Sequence, residues 1–253
     1  MKSFNLLIIL LVCCSCSGNQ KDIPAKQKAE EQVPETQVPE AVVKSEELTT
    51  HVTKYRILPI DESSEDPSLK RFVSKLKGII QRKDLNGLIQ CLDTGIVVSH
   101  GGGMYGIETF LKEWKMNVNP ERSELWLKIE RFLSLGGAWD SDKKDEFNFP
   151  YAQSDRFFTK TDLDFDWYVT AVCTSKKTIA YQEPFLNAKK IALLSYEIVR
   201  VIDRGDDFIE VQTIDKKIAG FVKKEQIILS ADSYPVLQKL NGEWKIVSFA
   251  PYV

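Results

Sequence analysis

The sequence predicts an α+β fold in which a mainly helical region precedes a set of short strands and a terminal β-hairpin. Three patterns support this prediction. Apolar residues recur at the helical period of 3.6 after Asp66, and they alternate over short runs after Trp167, as strands require. Near the end, Asn241-Gly242 is a strong signal for a hairpin turn. We expect a helical region over residues 65–160, a small β-barrel over 165–230 and a hairpin over 231–253.

Composition excludes two classes of protein. Of the 253 residues, 43% are hydrophobic and 10% aromatic, which is enough to build a core and excludes disorder throughout. The formal net charge is −2, from 34 Lys and Arg against 36 Asp and Glu. A protein dedicated to nucleic acid needs a strongly basic surface to neutralise phosphates, so no nucleic-acid partner is expected.

The N-terminus has the order of positive charge, apolar core and small residues that is typical of an export signal. Lys2 is followed by an apolar run from Leu6 to Val12, and cysteines and serines come next. This run is too short to span a bilayer, which takes about 20 apolar residues. We therefore expect residues 1–16 to be a signal peptide that directs the chain to the cell envelope.

The end of this signal resembles that of bacterial lipoproteins, in which a cysteine becomes the lipidated first residue of the mature chain. Cys16 fits that position, because the small Ser15 precedes it and Ser17 begins a polar stretch. Cys14, with Leu11 three residues before it, is one alternative, and a signal cleaved without lipidation is another. The resemblance implies a protein held in the membrane by its lipid, on the periplasmic side or on the cell surface of the outer membrane.

Residues 17–64 are predicted to form a disordered linker. They are rich in Lys, Glu, Gln, Pro and Val, and Pro24, Pro34 and Pro39 interrupt any helix. Gln20-Lys21-Asp22 is similar to signals that send some lipoproteins of Bacteroidota to the cell surface, but three residues are few, and a polar linker without any signal is the favoured interpretation.

The helical region has clear start signals. Asp66-Pro67 combines an N-cap residue with the proline that favours the first helical position, and Asp84 and Ser123 are placed to cap two further helices. A strand is expected from Ile96 to Ser99. The basic residues from Lys70 to Lys83 form either a solvated helix face or a patch for an anionic polymer.

His100 is the candidate for catalysis in this region. The order helix, helix, strand, glycine turn, helix is loosely similar to nuclear-transport-factor-two-like cone folds, some of which are isomerases or hydratases with a His/Asp pair. His100 and Asp93 would form that pair, and a structural or exposed histidine is the alternative. Because no nucleophile motif or metal-ligand spacing accompanies them, we expect no enzyme, no catalytic residue, no metal and no cofactor.

The strand-rich part resembles bacterial SH3 domains over Trp167 to Leu229. Pro184 stands at the position of their loop proline, Leu194 to Val199 at that of a middle strand, and Gly220-Phe221-Val222 at that of a late Gly-aromatic-Val step. A glycine is needed at Gly220 where tight curvature leaves no room for a side chain. The resemblance implies an SH3-like barrel that binds a cell-wall peptide or a protein partner.

Two departures from this family concern its ligand groove. Thr178-Ile179-Ala180-Tyr181 stands where Asn-Val-Arg is usual, and Phe208 stands where tryptophan is usual. Exposed aromatic side chains dominate many binding surfaces, and Tyr181, Phe185 and Phe221 are the candidate ligand-binding residues. The alternative is that all three belong to the core.

The predicted function is that of a membrane-anchored, non-enzymatic binding module of the envelope, with peptidoglycan or an envelope protein as partner. Two alternatives stay open: an enzyme or small-ligand pocket that uses His100, and a structural role in envelope assembly. The body as a whole is similar to uncharacterised bacterial proteins in which a helical region with a Gly-Gly turn precedes an SH3 domain, on stretches such as Leu135-Gly136-Gly137. Cys91 and Cys173 are expected to be separate buried thiols, and a disulfide between them is the alternative.

Overall fold

The structure is a computed structural model that describes residues 48–99, 103–140, 145–155 and 166–251. Within these ranges the chain forms four α-helices and thirteen β-strands, which confirms the predicted α+β class. The helices are α1 (Pro67–Gln81), α2 (Leu85–Cys91), α3 (Ile107–Glu113) and α4 (Leu125–Ser134). The strands are β1 (Thr50–His51), β2 (Leu92–Val97), β3 (Ala138–Trp139), β4 (Glu146–Asn148), β5 (Thr170–Cys173), β6 (Thr178–Tyr181), β7 (Lys190–Leu194), β8 (Ile198–Arg204), β9 (Phe208–Thr213), β10 (Ala219–Lys223), β11 (Ile227–Leu229), β12 (Val236–Leu240) and β13 (Glu243–Ser248).

The helices begin where local sequence chemistry places them. Asp66 accepts hydrogen bonds from the backbone N–H groups of Ser68 (2.6 Å) and Leu69 (3.3 Å), which caps α1. Asp84 caps α2 through the N–H of Gly87 at 2.9 Å. The Ser123 hydroxyl accepts from the first N–H of α4 at 3.2 Å. The expected caps at Asp66 and Asp84 are therefore confirmed, whereas the N-cap residue of α4 is Glu124 and Ser123 stands one residue before it.

A five-stranded sheet packs against the helices, and its strands come from two distant parts of the chain. The order is β2-β13-β12-β4-β3, with β13 parallel to β2 and the other neighbours antiparallel. The predicted hairpin around Asn241-Gly242 is confirmed, and both turn residues have positive φ, as a tight hairpin turn requires. The region expected to be mainly helical thus contributes three strands, and the hairpin completes their sheet.

The strand expected over Ile96 to Ser99 instead runs from Leu92 to Val97. It starts directly after α2 because Leu92 pairs with Ile246 of β13. A large apolar cluster fills the space between this sheet and the helices, and it includes Trp114 and Phe249, whose ring centroids lie 4.7 Å apart.

An eight-stranded, curled sheet forms the second part of the described chain, in the order β1-β7-β6-β10-β9-β8-β5-β11. The middle strand expected over Leu194 to Val199 is not continuous, because β7 ends at Leu194, β8 begins at Ile198, and Tyr196 between them has a φ of +57°. The five-stranded sheet is interrupted in sequence by this second sheet, whose strands other than β1 lie between β4 and β12 along the chain.

Residues 48–62, here termed the strap, run across both sheets. β1 pairs in parallel with β7, and the N–H of Ile57 donates to the carbonyl of Tyr196 at 3.1 Å. Further on, the N–H of Glu62 donates to Gly137 at 2.9 Å. The disordered linker was expected to extend to residue 64. Residues 48–62 are instead held by backbone pairing, so the part of the linker that was expected to be disordered there is ordered. Residues 17–47 lie outside the described residues.

Cys91 and Cys173 are free, buried thiols. They belong to separate apolar clusters, one beside the helices and one in the curled sheet. Burial raises the pKa of both thiols, so neither is a ready nucleophile. Among the helices in the described ranges, none has the length and apolar character needed to cross a membrane.

Candidate functional site

The loop between β6 and β7 presents two exposed apolar side chains at one end of the curled sheet. Phe185 is 48% exposed and Leu186 is 56% exposed. Three backbone hydrogen bonds hold the loop: Gln182 N–H to the Lys189 carbonyl at 2.8 Å, Phe185 N–H to Glu183 at 2.9 Å, and Ala188 N–H to Phe185 at 3.1 Å. The two side chains are thus presented on an ordered loop, which lowers the entropic cost of gripping a ligand.

An aromatic cluster lies at the base of this loop. It consists of Tyr181, Phe208 and Ala188, with Ile179 and Phe221 packed against them. The rings of Tyr181 and Phe208 meet edge to face with centroids 5.6 Å apart. Tyr181 on β6 faces Phe221 on β10 across the sheet. The cluster supports the loop from below through Ala188, which is buried.

The three predicted ligand-binding residues therefore differ in access. Phe185 is available to a ligand, Phe221 is half-buried, and Tyr181 is 4% exposed and forms part of the support. Sequence reasoning missed Leu186, although the apolar run Pro184-Phe185-Leu186 within a polar loop was a signal for it. The exposed pair Phe185 and Leu186, with Phe221 beside the cluster, is therefore a stronger candidate for ligand binding than the predicted set that included Tyr181.

Gly220 makes the close packing of this end possible. A Cβ atom placed there would lie 2.5 Å from the carbonyl oxygen of Tyr181 and 2.7 Å from Cδ1 of Ile191. The expectation that a side chain would clash at Gly220 is confirmed. Because no side chain intervenes, β10 and β6 approach closely enough for Tyr181 and Phe221 to face each other.

Charged groups of both signs surround the aromatic end. Lys189 and Lys190 are exposed at the start of β7, and Glu183 is exposed in the loop. Lys223 forms an ion pair with Glu225, with 2.9 Å between Nζ and Oε1. An apolar centre with a mixed polar rim is the usual anatomy of a protein or peptide binding surface.

A second cluster of polar groups, termed the clamp, lies where the strap meets the curled sheet. The buried carboxylate of Glu197 accepts from the N–H of Thr53 at 2.7 Å and from its hydroxyl at 2.6 Å. Burial raises the pKa of the Glu197 carboxyl, although the two hydrogen bonds from Thr53 favour its ionised form. His51 Nε2 lies 3.2 Å from Asp215 Oδ1 in the same cluster.

The clamp holds the strap, and its carboxylates are engaged by residues of the chain itself. Glu197 has both oxygens bonded to Thr53, and Asp215 is engaged by Thr213 at 2.7 Å as well as by His51. Partial burial opposes ionisation of Asp215, but the hydrogen bonds from Thr213 and Lys217 and the proximity of His51 together hold its pKa below the usual range. These carboxylates are structural partners of the strap.

Two of the predicted site residues cannot be placed. Cys16 and His100 lie outside the described residues. Asp93, the expected partner of His100, accepts a hydrogen bond from the N–H of Gly95 at 2.8 Å and so stabilises its own turn. Within the described part of the chain, no group of three or more His, Cys, Asp or Glu residues is arranged to hold a metal ion.

Comparison with known proteins identifies no relative. A scan against protein-family models, a search of curated proteins and a search of solved structures each gave no match. The resemblance to bacterial SH3 domains and to lipoprotein signals therefore stays a prediction.

Proposed function

We propose that this chain is an exported, lipid-anchored binding protein of the cell envelope, whose curled sheet is an SH3-like barrel that holds a cell-wall peptide. The observation that carries the proposal is the exposed pair Phe185 and Leu186, presented by an ordered loop above the aromatic cluster. Contiguous exposed apolar side chains mark interaction sites more often than single ones do.

The order of the strands supports the SH3-like assignment. β5 pairs with β8 on one side and with β11 on the other, so the first and last strands of residues 170–229 are neighbours in the sheet. Between them, β8, β9 and β10 form a continuous antiparallel meander. The loop with Pro184 precedes this meander, and Gly220-Phe221-Val222 lies in its last strand. This succession is similar to the one expected for bacterial SH3 domains, and returning the sheet on itself leaves few free edges.

The ligand proposed for the aromatic end is a peptide that carries charges of both signs. Phe185 and Leu186 supply the apolar contact, while the nearby lysines and glutamates supply partners for carboxylate and amino groups. Cell-wall peptides combine short aliphatic side chains with free carboxylates and amines. The lipid would hold the binding surface within reach of such a polymer.

Retention of the full chain on purified peptidoglycan tests this proposal. The variant is Phe185→Ser with Leu186→Ser, and both changes are on exposed positions that leave the core intact. Tyr181→Ala is a poor choice, because deleting a buried aromatic side chain costs about 3–5 kcal/mol of stability. Since central aromatic contacts are often worth about 2 kcal/mol or more, we expect the double variant to bind at least about tenfold more weakly.

The matched control is Leu127→Ser with Ile202→Ser, which removes two exposed apolar side chains from α4 and β8. This control is expected to bind as the unaltered chain does. Equal binding by all three chains would exclude the loop as the site. If peptidoglycan retains none of them, the wall-binding proposal is wrong and an assembly role with a protein partner replaces it.

The lipid attachment is tested separately by labelling with a palmitate analogue in the producing bacterium. We expect Cys16→Ser to abolish incorporation and Cys14→Ser to preserve it, because the thiol of the first mature residue is the acceptor. Incorporation that survives Cys16→Ser and disappears with Cys14→Ser would move the site to the alternative cysteine. No incorporation into the unaltered chain would refute the anchor.

A further inference from the structure

The outer surface of α1 carries the most one-sided charge distribution of the described chain. Residues 67–83 contain six of the 34 lysines and arginines and none of the 36 aspartates and glutamates. All six cations are exposed, while the apolar residues of the helix are buried against the core. These cations, termed the basic face, are Lys70, Arg71, Lys75, Lys77, Arg82 and Lys83.

Five of the six cations of the basic face form two parallel rows, and Lys83 lies just beyond the C-cap of the helix. Arg71, Lys75 and Arg82 follow the spacing i, i+4, i+11 and lie along one side of the helix. Lys70 and Lys77, seven residues apart, lie along the other side. The ridge between the rows carries the small residues Ser74 and Gly78. Because 15 residues of helix extend for about 22 Å, the two rows offer a long, even surface of positive charge.

No close ion pair within the described residues involves this face, although Glu130 lies near Lys77 and Glu243 near Lys75. None of its six cations takes part in an ion pair there. Lys83 donates to the backbone carbonyl of Glu121 at 2.8 Å, which positions its charge without neutralising it. Elsewhere the pattern differs: Lys128 pairs with Asp232 at 3.0 Å and Lys223 with Glu225 at 2.9 Å. The chain, whose net charge is close to zero, therefore concentrates unpaired cations on one helix.

We propose that the basic face of α1 docks on an anionic bilayer surface. The face presents positive charge but no pocket or large apolar side chain, since the ridge between its rows holds only small residues. The aromatic Phe72 of the same helix packs against the core instead. Such a surface suits a plane of lipid headgroups, where each nearby cation is attracted and no pocket is needed. The inference rests on the proposed lipid anchor, which keeps the face at high local concentration near the membrane.

Docking of this kind would set the orientation of the body at the membrane. With α1 against the headgroups, the lipid and the helix make two separate contacts with one surface. One acyl chain or one basic patch alone gives reversible attachment, while two signals together give stable attachment. The binding depends on salt, because exposed charges are screened within about 10 Å at 0.1 M ionic strength.

Co-sedimentation of the full chain with vesicles tests the proposal. The two probes are neutral phosphatidylcholine vesicles and mixed vesicles that also contain anionic phosphatidylglycerol, each at low and at high salt. The test variant is Arg71→Gln with Lys75→Gln and Arg82→Gln, which removes one row. Since a cation near an anionic surface contributes about fivefold in binding, loss of three is expected to weaken binding to anionic vesicles by about a hundredfold.

The matched control removes the same charge from another surface. Lys176→Gln, Lys177→Gln and Lys224→Gln alter three exposed lysines of the curled-sheet region and leave α1 unchanged. All three chains keep the N-terminal apolar run, so its own affinity for vesicles cancels in the comparison. We expect this control to bind anionic vesicles within about twofold of the unaltered chain, because its lysines are not part of the basic face.

Several results would overturn the proposal. Equal binding of the unaltered chain and the α1 variant to anionic vesicles would do so, and so would equal binding of the unaltered chain to neutral and anionic vesicles. Loss of peptidoglycan retention by the α1 variant, with vesicle binding unchanged, would assign the face to a wall polymer instead. Palmitate labelling and the Phe185 and Leu186 variant report on the proposed function independently, so its failure is distinguishable from a failure of the bilayer contact.

Discussion

The buried carboxylate of Glu197 holds the strap, the first described segment of the chain, against the curled sheet. Its oxygens receive both donors of Thr53, and its backbone carbonyl accepts from the N–H of Cys173 at 2.9 Å. The residue thus ties the strap to β5 and β8. A buried polar group left without its partners costs about 1–3 kcal/mol, so loss of either member of the pair would loosen the strap.

The clamp predicts a specific pH dependence of stability. Burial raises the pKa of Glu197 above the ordinary value of 4.5. A raised pKa in the folded state stabilises the fold below the ordinary value and loses that contribution as pH rises through the folded value. Glu197→Gln removes the titration and keeps a side chain of the same shape, in which the amide can donate to the Thr53 hydroxyl.

We therefore expect the stability of Glu197→Gln relative to the unaltered chain to increase as pH rises from about 4.5. Urea unfolding of both chains at a series of pH values measures this difference. The two chains differ only at residue 197, so the comparison isolates the effect of its carboxyl group. Two stability curves that stay parallel across the series would contradict the prediction.

Replacing two glycines by alanine should change the stability of the protein in opposite directions, which tests the packing around each of them. Gly220→Ala places a Cβ 2.5 Å from the carbonyl oxygen of Tyr181, and we expect it to destabilise the protein by about 1–3 kcal/mol. Gly78→Ala lies within α1, where the side-chain atom closest to the added Cβ is at the flexible end of Arg82, 3.3 Å away. Because alanine favours helix over glycine by about 1 kcal/mol, this variant should be more stable. Chemical denaturation gives both values, and the same sign for both would refute this account.

At the scale of elements, the strap is the segment that joins the two sheets. Ile57 is buried in a cluster that contains Tyr151 beside the five-stranded sheet and Val172, Ile198 and Ile228 of the curled sheet. The hydroxyl of Tyr151 donates to the carbonyl of Ile57 at 3.2 Å. One short extended segment therefore contributes packing and hydrogen bonds to both sheets.

Neighbouring residues of the strap should differ sharply in their effect on stability. Ile57→Ala removes a buried side chain between the two sheets, and we expect a loss of about 2–5 kcal/mol. Leu58→Ala alters an exposed side chain and should change stability by no more than about 0.5 kcal/mol. The comparison uses thermal or urea unfolding of the full chain. Similar losses for both would show that the strap does not pack as described.

Elements defined by local chemistry were predictable from the sequence, and elements defined by distant partners were not. The caps at Asp66 and Asp84 and the turn at Asn241-Gly242 depend on residues close in sequence, so their signals were sufficient. The strap contains one buried anchor, Ile57, in a polar segment, and its order comes from pairing with β7 and from Glu197. No local pattern encodes those contacts.

The candidate site follows the same division. Phe185 is a candidate because it is aromatic, and the sequence alone does not decide between an exposed and a buried side chain, which the structure shows to be 48% exposed. The burial of Tyr181 was not predictable, because it depends on Phe208 from β9 and on the close approach allowed by Gly220. The direction in which a strand residue points is set by register, and register is decided by partners far along the chain.

At the scale of the whole molecule, the two sheets are expected to unfold together. All described residues belong to one compact unit, Glu46–Val253, and the cluster around Ile57 spans both sheets. Cys91 reports on the helical side and Cys173 on the curled sheet, since both thiols are buried. Their protection is lost only when the surrounding part opens.

Thiol labelling across a urea series, read for each cysteine by peptide mapping, tests this cooperativity. We expect Cys91 and Cys173 to become reactive at the same urea concentration, as two-state unfolding requires. Fluorescence of the tryptophans provides a third probe, because Trp114, Trp126 and Trp244 are buried in the cluster beside the helices. Labelling of Cys173 at a lower concentration than Cys91 would show that the curled sheet opens independently.

The divided origin of the five-stranded sheet has a consequence for biosynthesis. A ribosome makes β2 long before β13, the strand whose Ile246 pairs with Leu92. Because synthesis proceeds at about 5–20 residues per second, the apolar faces of the helices stay uncovered for on the order of ten seconds before β13 is made. During that interval the nascent chain is a substrate for chaperones. A product cut short before the terminal hairpin would keep those faces exposed and be removed by quality-control proteases.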